Sequence, residues 1–366
     1  MFKIDTVVVG AGVIGLAVAR ALSLRGREVL VLERHDRVGQ ETSSRNSEVV
    51  HAGLYYPPGS LKARLCVEGR HALYRYCIER GVPHRRYGKL VVATSRDEEV
   101  ALQALYERAA TNGVEDIELI SGARLKEMEP ELRATAALLS GTTGIVDGHA
   151  LMLSLQGDAE NAGATVQCRV PLLGGNLDSP SIRLRVGGDE AAEIETELLI
   201  NAGGLGAWNV SRSLEGLDPD SIPPRHLAKG SYFALSGRAP FEHLIYPVPV
   251  AGGLGVHLTF DIGGQARFGP DVEWVEKIDY TVDPTGAAAF YDAIRRYWPG
   301  LPDGVLAPAY SGIRPCVAGP GEPPGDFVIQ GPKQTGHPSY VALYGIGSPG
   351  LTAALAIGGH LAKLIR

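Results

Sequence analysis

Residues 10–15 read Gly-Ala-Gly-Val-Ile-Gly, and this run constrains the fold more than any other stretch of the chain. On its own a G-x-G-x-x-G match is a weak signal. Here the apolar run DTVVVG precedes it as a strand, and VIGLAVARALSLRG follows as a helix with Gly26 as its stop. EVLVLER then reads as a second strand that ends in Glu33, 18 residues after Gly15. A β-α-β unit with a carboxylate at that spacing is a dinucleotide fingerprint. Gly10 makes the tight turn, Gly12 lets backbone approach a pyrophosphate, and Gly15 lets the helix pack close to the strand. The helix N-terminus stabilises phosphate charge. Glu33 suits a ribose hydroxyl and repels a 2′-phosphate, which disfavours NADP.

The choice between NAD and FAD turns on what else the chain carries. An apolar strand, LLINAGG, comes late, and SPGLT near the C-terminus presents another helix N-terminus. FAD needs such additions because its ribityl chain and ring extend beyond the first phosphate site. A helix N-terminus near the pyrimidine edge stabilises reduced flavin. FAD is the expected cofactor; an NAD-dependent dehydrogenase is the alternative and predicts a colourless protein.

At 366 residues the chain is long enough for two to three domains. Nucleotide-binding patterns occupy its start, middle and end. Between them KGSYFAL, LGVHLTF and QARFG alternate as antiparallel strands do. The expected fold class is α/β (α+β overall): a Rossmann-like FAD-binding domain from residues 1–83, 143–225 and 311–366, and a mainly antiparallel β substrate domain from 84–142 and 226–310. Helices are expected at 61–80, at EEVALQALYERAATNG up to Asn112-Gly113, at 124–132, after Asp147, and at 286–297. The 47 glycines, about 13% against a usual ~7%, have no collagen period and fit turns and close backbone approaches.

Net charge is −6, which argues against a nucleic-acid partner. Cys66, Cys77, Cys168 and Cys316 form no C-x-x-C pair and no metal-ligand spacing, so no metal is expected and the thiols read as those of a reduced, cytoplasmic protein. Residues 7–24 lack a basic leader, and Gly345, Gly347, Pro349 and Gly350 break the uncharged stretch 334–362. Neither reads as a membrane span; peripheral membrane association stays open.

The N-terminal unit, TSSRNSEVVHAGLYYPPGSLKARLCVEG, TTGIVD, LINAGG, LGVHLT, SGIRP and SPGLT together resemble the FAD-dependent D-amino-acid-oxidase-like superfamily. Within it the sequence is most similar to the L-2-hydroxyglutarate dehydrogenases/oxidases, over essentially the whole chain. RNSEVVHAGLYYPPGSLKA is the most specific block. The resemblance implies a two-domain flavoprotein that oxidises a 2-hydroxy acid to a 2-oxo acid and passes electrons to a quinone, an electron carrier or oxygen. It implies that Val13 and Ile14 within the fingerprint, Arg34 beside Glu33, and Thr42, Ser43, Arg45, Asn46 and Ser47 line the cofactor. Val170 would meet the adenine side through its backbone. Ala202 and Gly203 would pass close to the dinucleotide, and Gly350, Leu351 and Thr352 would approach the ring. His51 would lie near the ring, where a covalent flavin link is a further option. The chain departs from the pattern at Gly148-His149-Ala150 and at KGSYF.

Oxidising a 2-hydroxy acid needs a base for the hydroxyl proton and a cation for the carboxylate, both held in place while hydride leaves for flavin N5. Histidine suits the base, and His51 and His257 are the candidates. Arg314, in the otherwise uncharged run YSGIRPCVAGPG, is the candidate clamp because a guanidinium matches a carboxylate in bidentate fashion. Tyr55 and Tyr56 are placed to hydrogen-bond substrate or merely to pack against Pro57-Pro58. Lys229 is either a second carboxylate ligand or a solvated lysine. The rivals keep the flavin with an amine, amino acid or glycerol 3-phosphate as donor, or make the chain a flavin-binding module without turnover.

Overall fold

The computed structural model describes residues 2–177, 181–249 and 255–365. The chain divides into two compact units, Met1–Ser44 with Gly148–Leu227 and Arg314–Arg366, and Arg45–Asp147 with Ala228–Ile313.

The first unit is built on five parallel strands in the order Thr165–Gln167, Val29–Leu32, Phe2–Val9, Ala192–Asn201, Tyr340–Tyr344. Val7, Val8, Val31, Leu199 and Ile200 are fully buried, as expected for parallel strands covered on both faces. The chain builds outward from Phe2–Val9 in one direction and then crosses to Ala192–Asn201 on the other side. Ligands of such sheets bind at the carboxyl ends of the strands, at that reversal. Helix Val13–Ser23 packs against helices Gly148–Asn161 and Gly350–Leu364. The last contact is backbone-close, since a Cβ on Gly358 would stand 2.5 Å from the Ala17 carbonyl oxygen. Antiparallel strands Ile182–Val186 and Leu172–Asn176 extend the sheet from the first half of Ala192–Asn201.

The second unit carries a sheet in the order Glu273–Val275, His226–Leu235, Ala266–Phe268, Leu258–Phe260, Leu244–Pro247, Lys89–Ala93, Ala136–Ser140, Ile117–Ser121. Pairing is parallel where Leu244–Pro247 meets Lys89–Ala93, and antiparallel from His226–Leu235 to Leu244–Pro247 and from Lys89–Ala93 outward. Helix Arg96–Thr111 covers Lys89–Ala93 and its neighbours through Leu102, Leu105 and Ala109. Strand Leu306–Cys316 pairs with His226–Leu235, and these two strands carry the chain between the units.

The expected elements form with small shifts. Helix Leu61–Arg80 is closed at one end by the Ser60 hydroxyl, which accepts the Ala63 N–H at 3.1 Å, and at the other by Gly81 at φ 66°. The helix expected over 124–132 is Gly122–Met128, that over 286–297 is Ala287–Arg295 after a 3-10 turn, and Gly148–Asn161 follows Asp147 directly. Of the expected strand LGVHLTF only Leu258–Phe260 is a strand; Leu254 lies outside the described residues. Residues 45–83 and 143–147, read from sequence with the nucleotide-binding part, fall in the second unit, as do 311–313. Val49, Ala52, Leu54 and Ile145 belong to that unit's hydrophobic core.

Candidate active site

In the first unit the fingerprint closes a cradle at the strand ends. Gly10 has φ +99°, and a Cβ there would lie 2.7 Å from the Ala202 carbonyl oxygen. A Cβ on Gly15 would lie 1.9 Å from the Gly10 oxygen, so helix and turn touch through backbone alone. Ala202 donates its N–H to the Val9 carbonyl at 2.9 Å, and Val170 donates to the Glu33 carbonyl at 2.8 Å. The Glu33 carboxylate is buried. It accepts the Ala11 N–H at 2.8 Å and the His35 N–H at 2.9 Å, and a carboxylate retains lone pairs for ribose hydroxyls beyond those two bonds. The Ser43 hydroxyl accepts the Val13 N–H at 3.0 Å at the start of helix Val13–Ser23, whose N-cap, Gly12, supplies no side chain. Arg34 turns to the Glu41 carboxylate, while Thr42 stands half-buried beside Ser43.

A second helix N-terminus meets the first. Helix Gly350–Leu364 begins after Pro349 without a side-chain cap. A Cβ on Gly350 would stand 3.9 Å from Ile14 Cδ1, in the first turn of Val13–Ser23. Thr352 is buried and Leu351 half-buried. Arg314 stands beside this turn, its Cβ 3.7 Å from where a Cβ on Gly347 would sit. It is half-buried, and no carboxylate pairs with it among the described residues. The first unit therefore gathers Gly10, Gly12, Gly15, Glu33, Ser43, Val170, Ala202 and Gly203 around the fingerprint. It joins Ile14, Gly347, Gly350 and Arg314 around the second turn.

In the second unit the guanidinium of Arg45 lies 4.0 Å over the Tyr280 ring, and Arg45 Nη1 donates to the Ser311 carbonyl at 3.4 Å. Asn46 accepts the Glu48 N–H through Oδ1 at 2.8 Å and the Tyr310 hydroxyl through its carbonyl at 2.7 Å; these bonds fix the shape of the loop that carries Ser47. The Asn112 side chain donates to the Gly53 and Tyr56 carbonyls at 3.2 and 2.9 Å and pins the Tyr55-Tyr56 turn. His51 is half-buried, and its carbonyl accepts the Cys66 thiol at 3.5 Å. His257 directly precedes strand Leu258–Phe260. It is 5% exposed, and its ring stacks on Tyr246 with centres 3.5 Å apart. Lys229 is buried on strand His226–Leu235 and has a partner, the Glu273 carboxylate at 3.9 Å. It is neither solvated nor unpaired.

Two buried polar groups escape the sequence reading. Asn201, at the end of its strand, donates to the Ala207 carbonyl, the Ser211 hydroxyl and the Tyr340 hydroxyl, while its Oδ1 accepts the Gly203 N–H at 3.2 Å. It thereby fixes the turn that follows the strand. Lys89 is 1% exposed within the second unit's sheet. Its only signal in sequence is one lysine opening the apolar run KLVVA.

The first unit's residues fit FAD. The cradle at Gly12 has room only for backbone, because a Cβ would approach Ser43 Oγ to 2.8 Å. Two helix N-termini whose own N-cap residues, Gly12 and Pro349, supply no side-chain cap meet there, and a buried carboxylate ends the second strand.

Comparison with known proteins agrees. Residues 5–364 match the family described as DAO, FAD dependent oxidoreductase. The chain is 46% identical to the mitochondrial L-2-hydroxyglutarate dehydrogenase of Arabidopsis thaliana, over 99% of this chain and 83% of that protein. It is 35% identical to the Homo sapiens protein of the same name over 73% of this chain; that alignment spans 60% of the human protein. Among solved structures, the FAD-bound L-alpha-glycerophosphate oxidase from Mycoplasma pneumoniae superposes with a TM-score of 0.89 at 24% identity, covering 100% of this chain and 95% of that one. Glycine oxidase from Geobacillus kaustophilus superposes with 0.81 at 21% identity over 100% and 95%. These two likenesses concern the fold. The cytoplasmic placement expected from the cysteines has no support in the names of the plant and human relatives, which are mitochondrial. No helix among the described residues is long and apolar enough to cross a membrane. With the fingerprint, the second helix N-terminus and the full-length match in agreement, the chain belongs to the DAO family of FAD-dependent oxidoreductases.

Proposed function

We propose that this enzyme oxidises the carbinol of a 2-hydroxy acid, L-2-hydroxyglutarate first among them, to the 2-oxo acid. The observation that carries this is Arg314: a half-buried guanidinium without a carboxylate partner among the described residues, beside the glycine turn that opens helix Gly350–Leu364. A guanidinium in that state is suited to a substrate carboxylate. The full-length likeness to the plant L-2-hydroxyglutarate dehydrogenase supports the choice of donor.

Bound FAD supplies the two-electron acceptor. The protein's own work is binding, orientation and proton transfer. Arg314 holds the C1 carboxylate and fixes the carbinol carbon in one position. His257 accepts the hydroxyl proton, and its stacking on Tyr246 holds the imidazole plane; His51 is the second candidate for the same role. Tyr56, in the turn pinned by Asn112, hydrogen-bonds the substrate. Glu33 holds a ribose hydroxyl and the fingerprint backbone holds the pyrophosphate. Electrons leave for a quinone, an electron carrier or oxygen, and a quinone acceptor would bring the protein to a membrane surface.

The test is a donor panel. The FAD-loaded enzyme is assayed with an artificial electron acceptor against L-2-hydroxyglutarate, L-lactate, glycerol 3-phosphate, glycine and sarcosine. The proposal requires 2-oxoglutarate from the first at the highest kcat/KM. Turnover of glycerol 3-phosphate or of an amine with none of L-2-hydroxyglutarate overturns it.

A further inference from the structure

The second unit contains a cavity of about 290 Å³, near the lower end of the range of small-molecule sites, ~300–1,000 Å³. It lies between the turn after strand His226–Leu235, the loop after helix Ala287–Arg295 and the segment after helix Gly122–Met128. Hydrogen bonds tie these walls together. Ser236 donates its N–H to the Val305 carbonyl at 2.7 Å, and Arg133 donates its N–H to the Tyr297 carbonyl at 2.8 Å. The buried Glu129 carboxylate accepts the Glu242 and His243 N–H groups at 3.0 and 2.9 Å. Arg295 Nη2 donates to the Leu301 carbonyl at 3.0 Å and to the Asp303 carboxylate at 2.6 Å. The cavity is therefore preformed.

Trp298 forms one wall. It is 5% exposed, and its ring meets Phe241 edge-on, with centres 5.4 Å apart and planes at 81°. A buried indole N–H usually has a hydrogen-bond partner. That of Trp298 has none among the described residues. It borders the space at Gly300, where a Cβ would stand 3.4 Å from Trp298 Nε1 and 3.5 Å from Glu131 Oε2. Glu131 and Arg238 both line the cavity, yet neither makes an ion pair among the described residues. The Ser236 hydroxyl, on the same wall as Arg238, also has no partner among them. Two opposite charges that share so small a cavity without pairing leave room for a ligand between them.

We propose that this cavity binds a free α-amino acid with an apolar side chain. Arg238 takes the carboxylate, with the Trp298 N–H and the Ser236 hydroxyl as further donors, and Glu131 takes the ammonium. The side chain packs on Leu235, Pro302, Val305 and the Trp298 ring. A ligand bearing both charges matches both ends, whereas a singly charged one leaves an end unmatched. None of these residues has a part in the reaction proposed above, so the two assignments stand or fall separately.

The test is isothermal titration calorimetry of the FAD-loaded protein with three compounds. They are L-leucine, 4-methylpentanoate, which lacks the ammonium, and 3-methylbutylamine, which lacks the carboxylate. Saturable binding of L-leucine is expected, at least about tenfold tighter than that of either analogue. Arg238→Ala is expected to lose about tenfold with L-leucine and with the acid, and nothing with the amine. Glu131→Gln is expected to lose as much with L-leucine and with the amine, and nothing with the acid. Both side chains are exposed, so the variants keep the fold, and flavin content checks it. Gly300→Val places a side chain in the cavity and is expected to abolish binding. No saturable binding of L-leucine at millimolar concentration overturns the proposal. So does equal affinity for the three compounds, or an L-leucine affinity that neither charge variant changes.

Discussion

The imidazole of His257 lies against the phenol ring of Tyr246, with centres 3.5 Å apart and planes 8° from parallel. Tyr246 is itself 2% exposed, so the stack helps to hold the histidine in one plane. A general base works only in a fixed orientation to the proton that it takes. His257→Ala is expected to lower the rate of flavin reduction by about 10²–10⁴-fold with flavin content unchanged. Tyr246→Phe keeps the stack and stays within about threefold of wild type; Tyr246→Ala falls by about tenfold or more. Stopped-flow reduction measures all three. If His257→Ala and His51→Ala both reduce at the wild-type rate, neither histidine is the base.

Arg314→Ala is expected to cost about 2–3 kcal/mol of transition-state binding, or roughly 30–150-fold in kcat/KM, mainly as a rise in KM. Arg314→Lys restores charge without the bidentate fork and recovers only part of the loss. Steady-state kinetics check this, and an unchanged KM in Arg314→Ala removes Arg314 from the substrate.

The fingerprint glycines fail in different ways when replaced. On Gly15 a methyl group meets the Gly10 carbonyl oxygen at 1.9 Å, backbone against backbone, so Gly15→Ala is expected to yield little folded protein. On Gly12 the obstacle is the Ser43 hydroxyl at 2.8 Å, a side chain that can rotate. Gly12→Ala folds, loses the Val13 N–H contact and about 1 kcal/mol, and binds flavin at least about tenfold more weakly. Flavin content and thermal melting distinguish the two variants.

Much of this was legible because it is local in sequence. The strand, glycine turn, helix and Glu33 fall within one short stretch, and Ser60 and Gly81 announce both ends of helix Leu61–Arg80. Groups whose partners are far along the chain were not legible. Asn201 meets Tyr340, 139 residues away, and Lys89 meets Tyr246 only through a parallel pairing that no short-range pattern encodes. The division between units at Arg45 has no local sequence signal for a related reason. The strand Val49–Val50 has two residues, too few to show a period, and its core partners come from the far side of helix Leu61–Arg80. Sequence leaves Lys229 as either a second carboxylate ligand or a solvated lysine, because Glu273, its partner, sits on a neighbouring strand.

Lys89 also predicts how stability depends on pH. Burial lowers its ammonium from 10.5 to about 7. Between those values the unfolded chain holds a proton that the folded chain has released, so stability rises with pH across that window, by up to about 1.4 kcal/mol per unit. Below pH 7 both states are charged, and the folded state bears the whole penalty. Lys89→Met removes it. The variant is expected to melt several degrees higher than wild type at pH 6 and to gain less at pH 9. Thermal melts at the two pH values test this; a variant less stable than wild type at pH 6 contradicts an unpaired buried charge.

The most direct test of the proposed reaction is an anaerobic titration of the FAD-loaded enzyme with L-2-hydroxyglutarate, followed in the visible spectrum. The flavin bands are expected to bleach with one equivalent, and one equivalent of 2-oxoglutarate is expected to appear. Flavin bands that persist in excess L-2-hydroxyglutarate, in a protein that dithionite does reduce, would contradict it.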